Sequence, residues 1–137
     1  MREEIVGGNE TILFVEDEPA LLELMKMQLE SKGYDVLTAT DGLEAVEVFK
    51  KNPNEISLVI MDIGLPKLDG WEAYIRMKAM KPGLRVIVAT GYLDLERINK
   101  LEASAHIIIR KPYAPDQILR KVREELDRSI NKTIDHS

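Results

Sequence analysis

Four short stretches of this chain end in side chains suited to holding a hard cation and handling phosphate. Glu16, Asp17 and Glu18 stand together after the apolar run TILFV, and Asp62 closes ISLVIMD. Thr90 closes LRVIVAT and Lys111 closes HIIIRK. Two carboxylates ~4 Å apart repel by roughly 4 kcal/mol at an effective dielectric near 20. A divalent cation turns that repulsion into binding energy, and an oxygen-only ligand set favours Mg2+, with Mn2+ close behind. A further carboxylate, a hydroxyl and an ammonium beside such a seat suit phosphoryl transfer. The carboxylate attacks phosphorus to form an acyl phosphate, while cation and ammonium offset charge on the phosphoryl oxygens. Asp62 is the better nucleophile, because it stands alone at its strand end and is followed by Gly64, small enough to leave the approach open. Glu16 and Asp17 then hold the metal.

Each feature alone has a plainer reading. The acidic triplet could be charges favouring a helix dipole, Asp62 a turn former, Thr90 an ordinary β-branched strand residue and Lys111 a solvated lysine. His106 and His136 are isolated, and Trp71 and Tyr74 read as core or helix-surface aromatics. What tells against coincidence is the topology that the intervening sequence imposes.

Apolar, β-branched runs at 11–15, 34–39, 56–62, 84–90 and 106–111 read as buried strands. Between them lie helical patterns. Pro19 opens one with Leu21, Leu22, Met25 and Leu29, which Gly33 stops; Asp41 opens a second with Ala45, Val46 and Phe49. Asp69-Gly70 opens a third that ends at Pro82-Gly83, and 94–103 forms a fourth with a shallow stripe of Leu95, Ile98 and Leu101. From Pro115, Ile118, Leu119, Val122 and Leu126 form a clean amphipathic face. Strands that are apolar throughout are buried on both faces, so the expected fold is α/β: a doubly wound, five-stranded parallel sheet with five helices in three α/β/α layers. Ligands sit at the carboxyl ends of such strands, and that is the edge at which Glu16, Asp17, Asp62, Thr90 and Lys111 fall.

Composition sets the outer bounds. The 137 residues suit one domain, and 45% hydrophobic residues suffice for a core. A net charge of -5 tells against direct nucleic-acid binding. No run approaches the ~20 apolar residues that span a bilayer, so no direct membrane contact is expected. With no cysteine and no apolar signal core in MREEIVGGNE, a cytoplasmic location is expected. The expected organisation is a tail or linker at 1–10, one domain at 11–130 and a tail at 131–137.

In order, ILFVEDEP, VIMDIGLPKLDGWE, VIVATGY and IIRKPY resemble the response-regulator receiver domain of two-component signalling, over roughly residues 11 to 127. The resemblance implies a flavodoxin-like sheet of strand order 2-1-3-4-5. It implies Asp62 as phosphoacceptor, Asp17 as direct Mg2+ ligand and Glu16 as ligand through water. The Gly64 carbonyl matches the third protein ligand, Thr90 the hydroxyl that turns to the phosphoryl group, and Lys111 its ammonium partner, with a cis bond to Pro112. The implied protein is a phosphoacceptor rather than a conventional enzyme. Its implied partners are a sensor histidine kinase or histidine phosphotransfer protein and a downstream protein target, and 94–103 is the expected moving part. Ile108 departs from the pattern, since family members often carry an aromatic ring there; Tyr92 and Tyr113 lie nearby, but nothing in the sequence makes either a substitute. A receiver module of a hybrid sensor kinase fits equally well. A haloacid-dehalogenase-like phosphatase fits less well, because EDEP lacks the D-x-D spacing that its nucleophile needs.

Overall fold

The computed structural model describes residues 5–62, 67–68, 70–91 and 107–135. Five parallel strands, β1 (Thr11–Val15), β2 (Asp35–Ala39), β3 (Ile56–Asp62), β4 (Arg85–Thr90) and β5 (Ile107–Arg110), form one sheet in the order β2-β1-β3-β4-β5. Four described helices pack on it: α1 (Pro19–Ser31), α2 (Gly42–Lys51), α3 (Gly70–Met80) and α4 (Pro115–Asp135). The helix expected at 94–103 lies outside the described residues. No described helix is long and apolar enough to cross a membrane.

The strands are apolar on both sides because each side meets helices. Leu13, Val59, Met61, Val86 and Val88 pack with Phe49 of α2 and Met77 of α3. The alternate residues Ile12, Phe14, Leu58, Ile60 and Ile87 pack with Met25 of α1 and Ile118 and Val122 of α4. Side chains alternate across a strand, so one continuous hydrophobic run serves two cores, and a fully buried side chain of this size contributes about 1.5–3 kcal/mol.

Local signals set the helix ends. Pro19 occupies the first turn of α1 after Glu18, which makes no side-chain cap bond. After Ser31 the chain turns through Gly33 at φ 99°, a conformation that only glycine adopts without strain. Asp41 caps α2 by accepting from the Glu44 N–H at 2.8 Å, and Glu44 reaches back to the Thr40 N–H at 2.7 Å.

Residues 5–10, expected as a tail or linker, are fastened to the domain. The Gly8 N–H donates to the Lys32 carbonyl at 3.1 Å. Arg123 of α4 donates to the Gly7 carbonyl at 3.1 Å and to Glu10 at 2.8 Å. A Cβ on Gly7 would collide with the backbone carbonyl of Lys32, so this close approach of the two chain segments requires glycine. At the other end, α4 continues to Asp135, into the stretch expected as a C-terminal tail.

Candidate functional site

The sheet register builds the site. Val15 pairs with Met61, Asp62 with Ala89, and Thr90 with Arg110. One step past those pairs, the chain delivers Glu16, Thr90 and Lys111 to the same carboxyl edge as Asp62. The Glu16 N–H donates to the Ala39 carbonyl at 3.0 Å, so the pairing of β1 with β2 holds Glu16 just beyond the strand.

Of the acidic triplet, Glu16 turns inward and is 2% exposed, whereas Asp17 and Glu18 are exposed. Alternation separates Glu16 from Asp17, and Glu18 lies beyond the end of β1 at the start of α1. Glu16 continues the series of Ile12 and Phe14, as Asp62 continues that of Leu58 and Ile60. Carboxylate oxygens of Glu16, Asp17 and Asp62 all lie within 4.8 Å of one another. Three oxygen donors at that separation fit one hard cation.

Lys111 ties the edge together. Its Nζ donates at 2.8 Å to Glu16 Oε1 and at 2.8 Å to Asp62 Oδ2. Burial alone would lower the lysine pKa, but the hydrogen bonds to Asp62 and Glu16 outweigh it and hold the ammonium above its ordinary value. Burial raises the Glu16 pKa. The bonds from Lys111 and from the Glu18 N–H, the latter 3.1 Å from Oε2, oppose that rise without cancelling it, and the Asp62 charge adds to it. An ammonium and a cation cradle therefore share two of the same carboxylates.

Of the remaining expected residues, Pro112 follows a cis peptide bond after Lys111. Ile108 pairs with Val88 and packs against the α2–α3 side of the core, so an aliphatic residue fills the position where the family often has a ring. Thr90 ends β4 beside Arg110. Gly64 and Tyr92 lie outside the described residues. Sequence reading gave Tyr113 no role, yet its hydroxyl is buried without a hydrogen-bond partner. Burial, then the nearby Glu16 charge, pushes its pKa up to about 12. The available signal was its place two residues after Lys111.

A doubly wound parallel sheet with an acidic, lysine-bridged pocket at its carboxyl edge defines a class of phosphate-handling α/β proteins. The comparisons narrow it: the family model for the response regulator receiver domain matches residues 12–123, and the chain belongs to that family. It is 34% identical over 122 residues to the alkaline phosphatase synthesis transcriptional regulatory protein PhoP of Bacillus subtilis (strain 168), covering 88% of this chain and 50% of the relative. It is 30% identical over 124 residues to the sensor kinase CckA of Brucella abortus (strain 2308), covering 90% of this chain and 13% of that protein. Among solved structures, a CheY-like response regulator receiver domain protein from Methanospirillum hungatei JF-1 superposes with a TM-score of 0.82 at 34% identity, covering 91% of this chain and 99% of that one. The chain spans about half the length of the regulators first matched and a small part of the kinase. It is a receiver domain of the kind found in response regulators and hybrid kinases.

Proposed function

We propose that Asp62 accepts a phosphoryl group from the phosphohistidine of a sensor kinase or histidine phosphotransfer protein. An Asp62 carboxylate oxygen bonds to phosphorus as the phosphorus–nitrogen bond breaks, and the imidazole nitrogen keeps that electron pair and takes up a proton. Glu16, Asp17 and Asp62, with the Gly64 carbonyl, would hold Mg2+, which when bound supplies charge against the phosphoryl oxygens. Lys111 supplies a second positive charge and Thr90 a hydroxyl donor. The product biases an equilibrium between two protein-contact surfaces. The protein is thus a phosphoacceptor that modifies itself, not an enzyme acting on a separate substrate.

The observation that carries this reading is Lys111 Nζ at 2.8 Å from both Glu16 and Asp62, with Asp17 beside them. It brings three carboxylates and one ammonium together, an excess of negative charge that a divalent cation would offset. The match to a sensor kinase favours a second setting for the same chemistry, a receiver passing signals within a hybrid kinase. Incubation with acetyl phosphate and Mg2+ tests the reading by intact mass. The parent gains one phosphoryl group and Asp62→Asn gains none; equal labelling of both would move the acceptor elsewhere.

A further inference from the structure

The segment that follows Asp62 is braced on a helix from another part of the chain. Five residues, Gly64 among them, join Asp62 at the end of β3 to Leu68. Leu68 packs with Ala45 and Val46 of α2 and Ala73 of α3. Its backbone lies so close to the start of α2 that a Cβ on Gly42 would collide with both the carbonyl oxygen and the carbonyl carbon. That start belongs to the carboxyl edge of the sheet, since Ala39, three residues earlier, accepts from the Glu16 N–H at 3.0 Å.

Two contacts join the segment to α2, and they are unequal. Lys67 Nζ lies 3.6 Å from Asp41 Oδ2, while Oδ1 of the same side chain caps the helix. The lysine side chain is 70% exposed, so that pair contributes little. Lys67 nevertheless holds φ 65°, a left-handed conformation disfavoured for any residue with a Cβ. The buried contact of the next residue with Gly42 is the firmer hold.

Local structure does not ask for glycine at position 42. Asp41 already caps the helix, the φ of Gly42 is not positive, and alanine is the better helix former. What asks for it is the Leu68 carbonyl. An added methyl would have to push that carbonyl aside, four residues from Gly64. Mg2+ demands near-octahedral ligands at about 2.0–2.1 Å, whereas Ca2+ accepts looser sets of about six to eight oxygens at about 2.3–2.6 Å. A displaced carbonyl ligand therefore costs the smaller ion more.

We propose that Gly42 is a positioning residue of the receiver site. It touches no ligand, but the space at its Cα fixes Leu68, and through Leu68 the segment that carries Gly64 to the cation seat. The glycine thereby sets the preference of that seat for Mg2+ over Ca2+. This rests on the receiver reading, with Gly64 as a ligand.

The test is Gly42→Ala, with Gly83→Ala, whose Cβ would meet no described atom within 4 Å, as control. Circular dichroism and melting first establish that each variant is folded at the working temperature. Calorimetric titrations with Mg2+ and with Ca2+ then give two dissociation constants for each protein. Gly42→Ala binds Mg2+ about tenfold more weakly than the parent, the usual effect of disturbing a ligand's support, and loses less than about threefold with Ca2+. Gly83→Ala matches the parent. Unchanged affinity for both cations overturns the proposal, and a lower melting temperature beside it marks a packing role. An equal loss for both also overturns it, because fit to Mg2+ is then not what the glycine preserves. Should Gly42→Ala fail to fold, Leu68→Ala, at a half-buried position, loosens the same contact from the other side. A weakened preference for Mg2+ in that variant supports the proposal, and a parental ratio of the two constants overturns it. A parent that binds neither cation and takes no phosphoryl group from acetyl phosphate sinks the receiver reading itself, and this inference with it.

Discussion

Two cations join distant parts of this chain, and they balance the charge around them to different degrees. Arg123 meets Glu10 at 2.8 Å and Asp127 at 3.0 Å, and also reaches the Gly7 carbonyl and the Tyr34 hydroxyl. Hydrogen bonding to Glu10, more than burial opposes, raises the arginine pKa, and the same bond lowers that of Glu10. One guanidinium faces two carboxylates, and the second, Asp127, is exposed, so water screens the single excess charge. Lys111 instead pairs with Glu16 and Asp62 beside Asp17, and these four described groups together carry an excess of negative charge formally equal to that of two carboxylates. A nearly balanced, partly exposed cluster serves a junction; the buried edge with the larger excess is the one that a divalent cation would relieve. Two ion pairs of identical 2.8 Å length therefore have unlike roles, and the difference lies in what surrounds them.

Removing each cation should separate those roles. Lys111→Ala has the larger expected effect, because it leaves Glu16 buried with no charged partner: about 3 kcal/mol lost in denaturant titration without divalent cation. Saturating Mg2+ recovers part of that loss, since the cation supplies the missing charge. A variant as stable as the parent in both conditions would show that the edge is not electrostatically unbalanced.

Arg123→Ala should cost about 1–2 kcal/mol and speed hydrogen exchange at the Gly8 amide, while leaving the Mg2+ response intact. The pH dependence gives a second check. Glu10 has a folded pKa below its ordinary 4.5, so its contribution is present above that value and lost as pH falls through the lower folded one. The parent therefore loses more stability than Arg123→Ala across that acidic window; parallel curves would mean that the pair is not coupled to folding.

Asp17→Asn is the mildest break, because Asp17 is exposed and its loss relieves repulsion. A cation at ten times its dissociation constant adds roughly 1.4 kcal/mol, which is a melting shift of a few degrees for a domain of this size. The variant should lose most of that shift without losing basal stability. An undiminished shift would remove Asp17 from the ligand set.

Much of this was legible in the residues. Runs such as ISLVIMD lack a polar face, so they had to be covered on both sides, and the observed cores divide each run by alternate residues. Pro19, Gly33 and Asp41 act within a few residues of themselves, through ring constraint, positive φ and a cap bond, and so mark helix ends without tertiary help. The acids and Lys111 could be placed at one edge because parallel strands all point the same way. The Arg123 junction was not legible. Gly7, Gly8 and Glu10 look like a flexible polar tail, and their docking depends on an arginine more than a hundred residues away.

The sequence by itself determined which side chains reach the carboxyl edge, because strand direction and period-two alternation are local properties of the backbone. Only the tertiary structure decided that Glu16 rather than Glu18 faces inward, that Lys111 bridges it to Asp62, and that the Tyr113 hydroxyl is buried without a partner. Those outcomes depend on the register between strands and on which helix covers which face. Both are settled by the packing of the whole core, so no single stretch of residues encodes them.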